Sequence, residues 1–117
     1  MSPEKVEMVI RKATLQTSVI DIHGEINASA ENALMDAYTQ VTSQGARSIV
    51  LNFSGLNYMN SSGIGLLVTL LIRVKRQNQR LVACGLNQHY QQIFELTRLN
   101  EAITIYPGEA EALAALN

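Results

Sequence analysis

Residues 48–53 read Ser-Ile-Val-Leu-Asn-Phe, a β-branched apolar run without polar residues at alternate positions. A strand with one wet face alternates, so this run asks for cover on both faces, the habit of strands inside parallel sheets. Parallel neighbours cannot be joined by a tight turn. They need a crossover of a dozen or more residues, usually a helix. The fragment therefore predicts helices before and after it, and the flanking sequence has the pattern to supply them.

Ala30, Leu34, Tyr38 and Val41 recur at helical spacing, with Asn27 or Ser29 as candidate N-caps and Gly45 as the stop. This predicts a helix ending near Ser43. A second helix is expected from about Ser62 to Arg76, after a loop over Ser54–Asn60. Arg80–Cys84 reads as another buried strand closed by Gly85, Gln88–Leu99 as a helix, and Ile103–Tyr106 as a short strand. Gly108–Leu116 reads as a terminal helix with Pro107 near its start. Upstream, Val6, Met8 and Ile10 alternate with Glu7, Val9 and Arg11, and Leu15–Ile22 follows as a second strand ended by Gly24. The short Lys12–Thr14 gap between these strands suggests a hairpin. The order is β-β-α-β-α-β-α-β-α. It predicts a single α/β domain over residues 1–117, with a mostly parallel sheet of four to five strands, an antiparallel edge hairpin and about four helices.

Charge narrows the function. Nine Lys and Arg face ten Asp and Glu, a formal net charge of −1, which excludes a uniformly basic nucleic-acid binder. The distribution is skewed, because residues 37–94 hold no acid and carry Arg47, Arg73, Lys75, Arg76 and Arg80. An acid–base enzyme centre is poorly served by such a stretch. The lone Cys84 cannot form an intrachain disulfide. The first dozen residues are charged and lack an apolar signal core. The longest apolar-rich run, Gly63–Ile72, falls well short of the roughly 20 residues a membrane helix needs. These features predict a cytoplasmic protein with no membrane segment.

Enzyme motifs are wanting. There is no G-x-S-x-G elbow and no H-E-x-x-H pair, Gly63-Ile64-Gly65 lacks the third glycine of a dinucleotide loop, and the phosphate-loop lysine is missing. His23, His89 and Cys84 make a poor zinc set. Neither an enzyme nor a resident metal or cofactor is expected. The informative stretch is Asn57-Tyr-Met-Asn-Ser-Ser-Gly-Ile-Gly65, between a buried strand and the most apolar helix. Its two hydroxyls and a flexible glycine sit where the free N–H groups of a helix start favour an added anion. A phosphate on Ser61 would add about −1.5 to −2 charges in that field. Serine is also a common helix cap, so Ser-Ser-Gly by itself serves either reading. The basic tail Arg73-Val-Lys-Arg76 stands roughly 18 Å along the helix and cannot hold such a phosphate. Ile64, Leu66, Leu67, Val68, Leu70, Leu71, Ile72 and Val74 spread over more than one helix face, so some are either exposed for a partner or covered by neighbouring elements.

Taken together, three elements resemble the STAS domain family, specifically the bacterial anti-sigma factor antagonists. They are the Gly24-Glu-Ile-Asn27 turn, the Ile49–Phe53 strand with its Asn60-Ser-Ser-Gly-Ile-Gly65 loop and helix, and the Leu81–Gly85 strand followed by a helix with Ile93, Phe94 and Leu99. The resemblance covers nearly the whole chain. It implies a partner-switching protein that binds an anti-sigma factor when unphosphorylated and is released when that factor, a serine kinase, phosphorylates Ser61, with Ser62 as second choice. A serine phosphatase of the metal-dependent class would reverse the step. The implied partner-binding residues are Glu25, Asn27, Asn60, Ser61, Ser62, Gly63 and Ile64. Well-known members carry Asp where this chain has Asn27 and Asn60. Asparagine keeps the size and much of the hydrogen bonding but removes the charge. The alternative is a constitutive STAS scaffold, in a signalling complex or a lipid transporter, without phospho-switching. A third reading is a small-ligand or nucleotide-binding domain.

Overall fold

The structure is a computed structural model and describes residues 6–116. Residues 1–5 and 117, included in the one-domain expectation, lie outside the described residues. The elements are β1 (Glu7–Lys12), β2 (Thr17–Ile26), a 3₁₀ turn (Ala28–Ala30), α1 (Glu31–Ser43), β3 (Ser48–Met59), α2 (Ser61–Arg76), β4 (Arg80–Cys84), α3 (Gln88–Leu96), a second 3₁₀ turn (Leu99–Glu101), β5 (Thr104–Tyr106) and α4 (Glu109–Leu116). This is the predicted order, with a five-stranded sheet arranged β1-β2-β3-β4-β5. The β1–β2 pair is antiparallel and the other pairs are parallel, as the edge hairpin required.

Strand side chains alternate between faces, and the two faces have different covers. Ile20 and Ile22 of β2, Ile49, Leu51 and Phe53 of β3, and Leu81 and Ala83 of β4 point into one large core. They meet Leu34, Tyr38 and Val41 of α1, Leu67, Leu70 and Val74 of α2, and Tyr90 and Phe94 of α3. Crossovers of one hand between sequentially ordered parallel strands place all their helices on the same side. The opposite face presents Val19, Val50, Val82 and Cys84, and α4 covers it through Ala112, with Leu113 and Leu116 packed around the edge. The unbroken run in β3 is thus buried from both sides, with Ile49, Val50 and Leu51 fully inaccessible.

Several predicted boundaries move. Leu15 is not in β2, which begins at Thr17, and Leu15 stands 83% exposed. Gly24 does not end β2. The strand continues to Ile26, and Gly24 takes φ +99° where the register with β3 shifts. The expected loop Ser54–Asn60 is mostly strand, because His23, Gly24, Glu25 and Ile26 pair with Gly55, Leu56, Tyr58 and Met59. The helix expected to reach Leu99 stops at Leu96, and Arg98 turns the chain with φ +62°. β5 begins one residue later than expected, at Thr104, and α4 begins at Glu109 rather than Gly108.

A polar row crosses the α4 side of the sheet. Asp21, Asn52 and Cys84 stand in register on β2, β3 and β4. Asn52 donates to Asp21 at 2.8 Å, and the Cys84 thiol lies 3.7 Å from the Asn52 side-chain oxygen. Arg11 grips Asp21 at 2.6 and 2.9 Å and reaches Glu109 of α4 at 3.1 and 2.5 Å. The guanidinium holds the Asp21 carboxyl below the usual carboxylate range, while burial pushes the Cys84 thiol up to about 11.

Candidate functional site

The predicted site residues gather at the C-terminal ends of β2 and β3, where α2 starts. β2 delivers Glu25 and Ile26, β3 delivers Tyr58 and Met59 beside them in register, and the chain turns at Asn60 into α2. The Asn60 N–H donates to the Ile26 carbonyl at 3.2 Å, which fastens the entrance of α2 to the end of the neighbouring strand. Asn60 is extended, and its side-chain oxygen accepts the Gly63 N–H at 3.0 Å. The helix cap is therefore an asparagine, not one of the serines. Ser61 and Ser62 instead occupy the first two helical positions, both exposed. Asn60 satisfies the Gly63 donor, and the Ser61 and Ser62 amides belong to the first-turn group with no partner inside the helix.

Asn27 caps in the same manner at the end of β2. Its side-chain oxygen accepts from the Ser29 backbone N–H at 2.9 Å and caps the 3₁₀ turn leading into α1. Both positions that carry asparagine here, where the resemblance would have Asp, thus act as acceptors for backbone donors. A neutral side-chain oxygen suffices for that task.

Gly63, a flexible residue on the sequence reading, is the reverse. It is buried, and an added Cβ would press into the Ile26 carbonyl oxygen and stand 2.7 Å from the Met59 Cγ. The residue lets the first turn of α2 lie directly on the end of β2. Met59 is braced in turn, because its N–H donates to the Tyr90 hydroxyl of α3 at 2.9 Å, and Asn87 caps α3 by accepting from Tyr90 N–H at 3.0 Å. Ile26, Met59 and Tyr90 are the supports that sequence reading missed. The helical pair Tyr90 and Phe94 was the available signal that α3 turns its aromatic side inward.

No acidic residue lies in the first turn of α2, and its basic residues Arg73, Lys75 and Arg76 stand in the last turn, as expected. The acid-free span is not acid-free in space, however. Glu25, partly exposed on β2, stands one residue from the Ile26–Asn60 contact. Ile64 is half-buried, whereas Val68 and Ile72 are 40% and 47% exposed, so some of the apolar surface of α2 is uncovered. His23 and His89 are both exposed; His23 lies on β2 two residues before Glu25, and His89 lies in α3, so the two histidines come from separate elements. Among the described residues, no group of three His, Cys, Asp or Glu side chains could hold a metal ion. Among the same residues, no helix is long and apolar enough to cross a membrane.

A five-stranded mixed sheet with an antiparallel edge, three crossover helices on one face and a fourth helix on the other defines a SpoIIAA-like α/β domain. The STAS domain family model matches residues 5–112, and the chain belongs to that family. It is similar to an anti-sigma-B factor antagonist of Staphylococcus aureus, 26% identical over 89 residues that cover 76% of this chain and 82% of the relative. Among solved structures, an anti-sigma factor antagonist from Mycobacterium paratuberculosis superposes with a TM-score of 0.82 at 20% identity, covering 97% of this chain and 96% of that one. The Bacillus cell fate determinant SpoIIAA in its phosphorylated form gives 0.73 at 21% identity, covering 95% and 100%. These structural likenesses establish the fold.

Proposed function

We propose that the chain is an anti-sigma factor antagonist that switches partners through the phosphorylation state of Ser61. Unphosphorylated, it binds an anti-sigma factor that is also its serine kinase. Phosphorylated, it is released until a metal-dependent serine phosphatase resets it. It is a binding protein of the cytoplasm rather than an enzyme, and it acts without nucleic acid, membrane or resident cofactor. Glu25, Asn27, Asn60, Ser61, Ser62, Gly63 and Ile64 form the contact surface.

The observation that supports this reading is Ser61 itself, an exposed hydroxyl at the first position of a helix whose first turn has no acid. On the free protein a phosphate there gains about 0.3–1 kcal/mol from the helix dipole. Against a docked partner the same dianion loses water. An unpaired charge at a desolvated contact costs several kcal/mol, so roughly 3 kcal/mol, or about 100-fold in affinity, is the expected loss. The phosphate is thereby stabilised on the free form and destabilises the complex, so the phosphorylated product leaves the kinase that made it.

The test uses the anti-sigma factor kinases of the source organism, each purified and supplied with ATP and Mg²⁺. One of them should add a single phosphate, and Ser61→Ala should remove that product. Ser61→Asp should weaken binding of the same kinase strongly. Unchanged affinity of the Asp variant would defeat the switch. Protein isolated from its native cells without any phosphorylated fraction would favour the constitutive scaffold.

A further inference from the structure

Gly65 has no explanation inside the folded chain. It lies within α2, is exposed, and an added Cβ would meet nothing within 4 Å. Its φ is not positive, so its backbone conformation is open to any residue. The Thr69 hydroxyl donates to its carbonyl at 3.2 Å, a bond that alanine would keep. Glycine is nonetheless the least favourable residue for a helix interior after proline. Two positions earlier, Gly63 is accounted for by the close approach of α2 to β2, which makes the contrast sharp.

The place of Gly65 on the helix supplies a reason. With successive residues 100° apart, Ser61, Gly65, Val68 and Ile72 share the side of α2 opposite the buried Gly63, Leu67, Leu70 and Val74. Between the exposed hydroxyl and the exposed apolar pair, the missing side chain leaves a shallow recess down to the backbone. Beyond Ile72 the face ends in Lys75 and Arg76, on a stretch of chain without a carboxylate.

We infer that Gly65 is the clearance point of this face: the anti-sigma factor lays an apolar ridge directly on the Gly65 backbone, between Ser61 and the Val68–Ile72 pair. The partner surface therefore carries a protruding apolar segment with acidic groups at its rim, facing Lys75 and Arg76. This rests on the proposed function and deepens it. Seated there, the partner reads the hydroxyl of Ser61 and the absence of a side chain one turn later in the same contact. Gly65 is a positioning and specificity residue, and it touches no reacting atom.

Gly65→Ala separates the two roles that a residue can have. Helix propensity predicts a gain in stability that raises Tm by about 3–5 °C. A methyl group filling a close contact predicts an affinity for the purified anti-sigma factor kinase lowered about tenfold, and further for Gly65→Leu. A higher Tm with binding retained within twofold of the unsubstituted chain would overturn the inference and leave the proposed function standing. Failure of the unsubstituted chain to bind any of the purified kinases would instead remove the proposed function, and this inference with it.

Discussion

Replacing Gly63 by alanine tests how firmly the site is seated on the sheet. The added Cβ would press on the Ile26 carbonyl oxygen and come within 2.7 Å of the Met59 Cγ and 3.0 Å of the Ile26 Cγ2. Carbon pairs rest at about 3.5–4.0 Å, so the first turn of α2 must lift by on the order of 1 Å. Met59 could yield a little, but the Ile26 carbonyl cannot turn aside freely, because it accepts the Asn60 N–H that fastens the helix entrance. Overpacking costs about 1–3 kcal/mol and the strained hydrogen bond about 1 more, against roughly 1 kcal/mol returned by alanine's better helix propensity. The net is a destabilisation of about 1–3 kcal/mol, or a Tm lowered by roughly 4–12 °C in a domain of this size. Urea unfolding followed by far-ultraviolet circular dichroism measures it, with the slope checked to show that the unfolded state is unchanged. A midpoint equal to or above that of the unsubstituted protein would refute the close seating of α2 on β2.

Two further outcomes follow from side-chain contacts. Asn60→Ala removes the cap on Gly63 N–H and should cost about 1 kcal/mol in the same urea assay. Asn60→Asp keeps the acceptor, adds a charge at the helix start and should be neutral or up to about 1 kcal/mol more stable, so a clear loss would contradict the capping role. Asp21 titrates below its ordinary value of 3.8, chiefly through the Arg11 hydrogen bonds. Its carboxylate therefore contributes fully above about pH 4, and the contribution is lost as pH falls through the depressed folded value. Arg11→Met should shift acid unfolding to higher pH and cost only about 1 kcal/mol at neutral pH, since nearly half of the Arg11 side chain is in water. An acid transition that does not move would mean that Arg11 does not set the Asp21 charge.

The limits of the sequence reading fall at particular residues. Ile49–Leu51 announced a doubly covered strand because the composition itself carries the signal. Ser54–Asn60 misled because Ser, Gly and Asn are turn formers locally. Their strand conformation comes from pairing with residues 23–26, and that partnership is written nowhere in the segment. Gly24 was the visible punctuation, and it marks a change of register rather than an end. At the site, Asn27 was legible as a cap because helix starts have local chemistry, whereas Asn60 entered only through the family resemblance. The brace from Tyr90 to Met59 was not legible, since it joins residues 31 apart in sequence across two elements. The serine-cap reading failed for a simpler reason: Asn60 stands one residue earlier and takes the cap first.

The strictly sequential order of the sheet bears on how the chain assembles. Each strand joins the edge left by the one before it, so no strand must enter between two already paired. Each parallel pairing nevertheless spans a whole crossover, as Ile20 beside Leu51 does, so the chain must close a long loop before each new strand is rewarded. The Arg11–Glu109 pair joins residues 98 apart, and it can close only after α4 has formed. Until then the Val19, Val50 and Val82 surface remains bare. The docking of α4 is thus what turns a sheet covered on one face into one covered on both, and the Arg11–Glu109 pair ties that cover to the far edge strand.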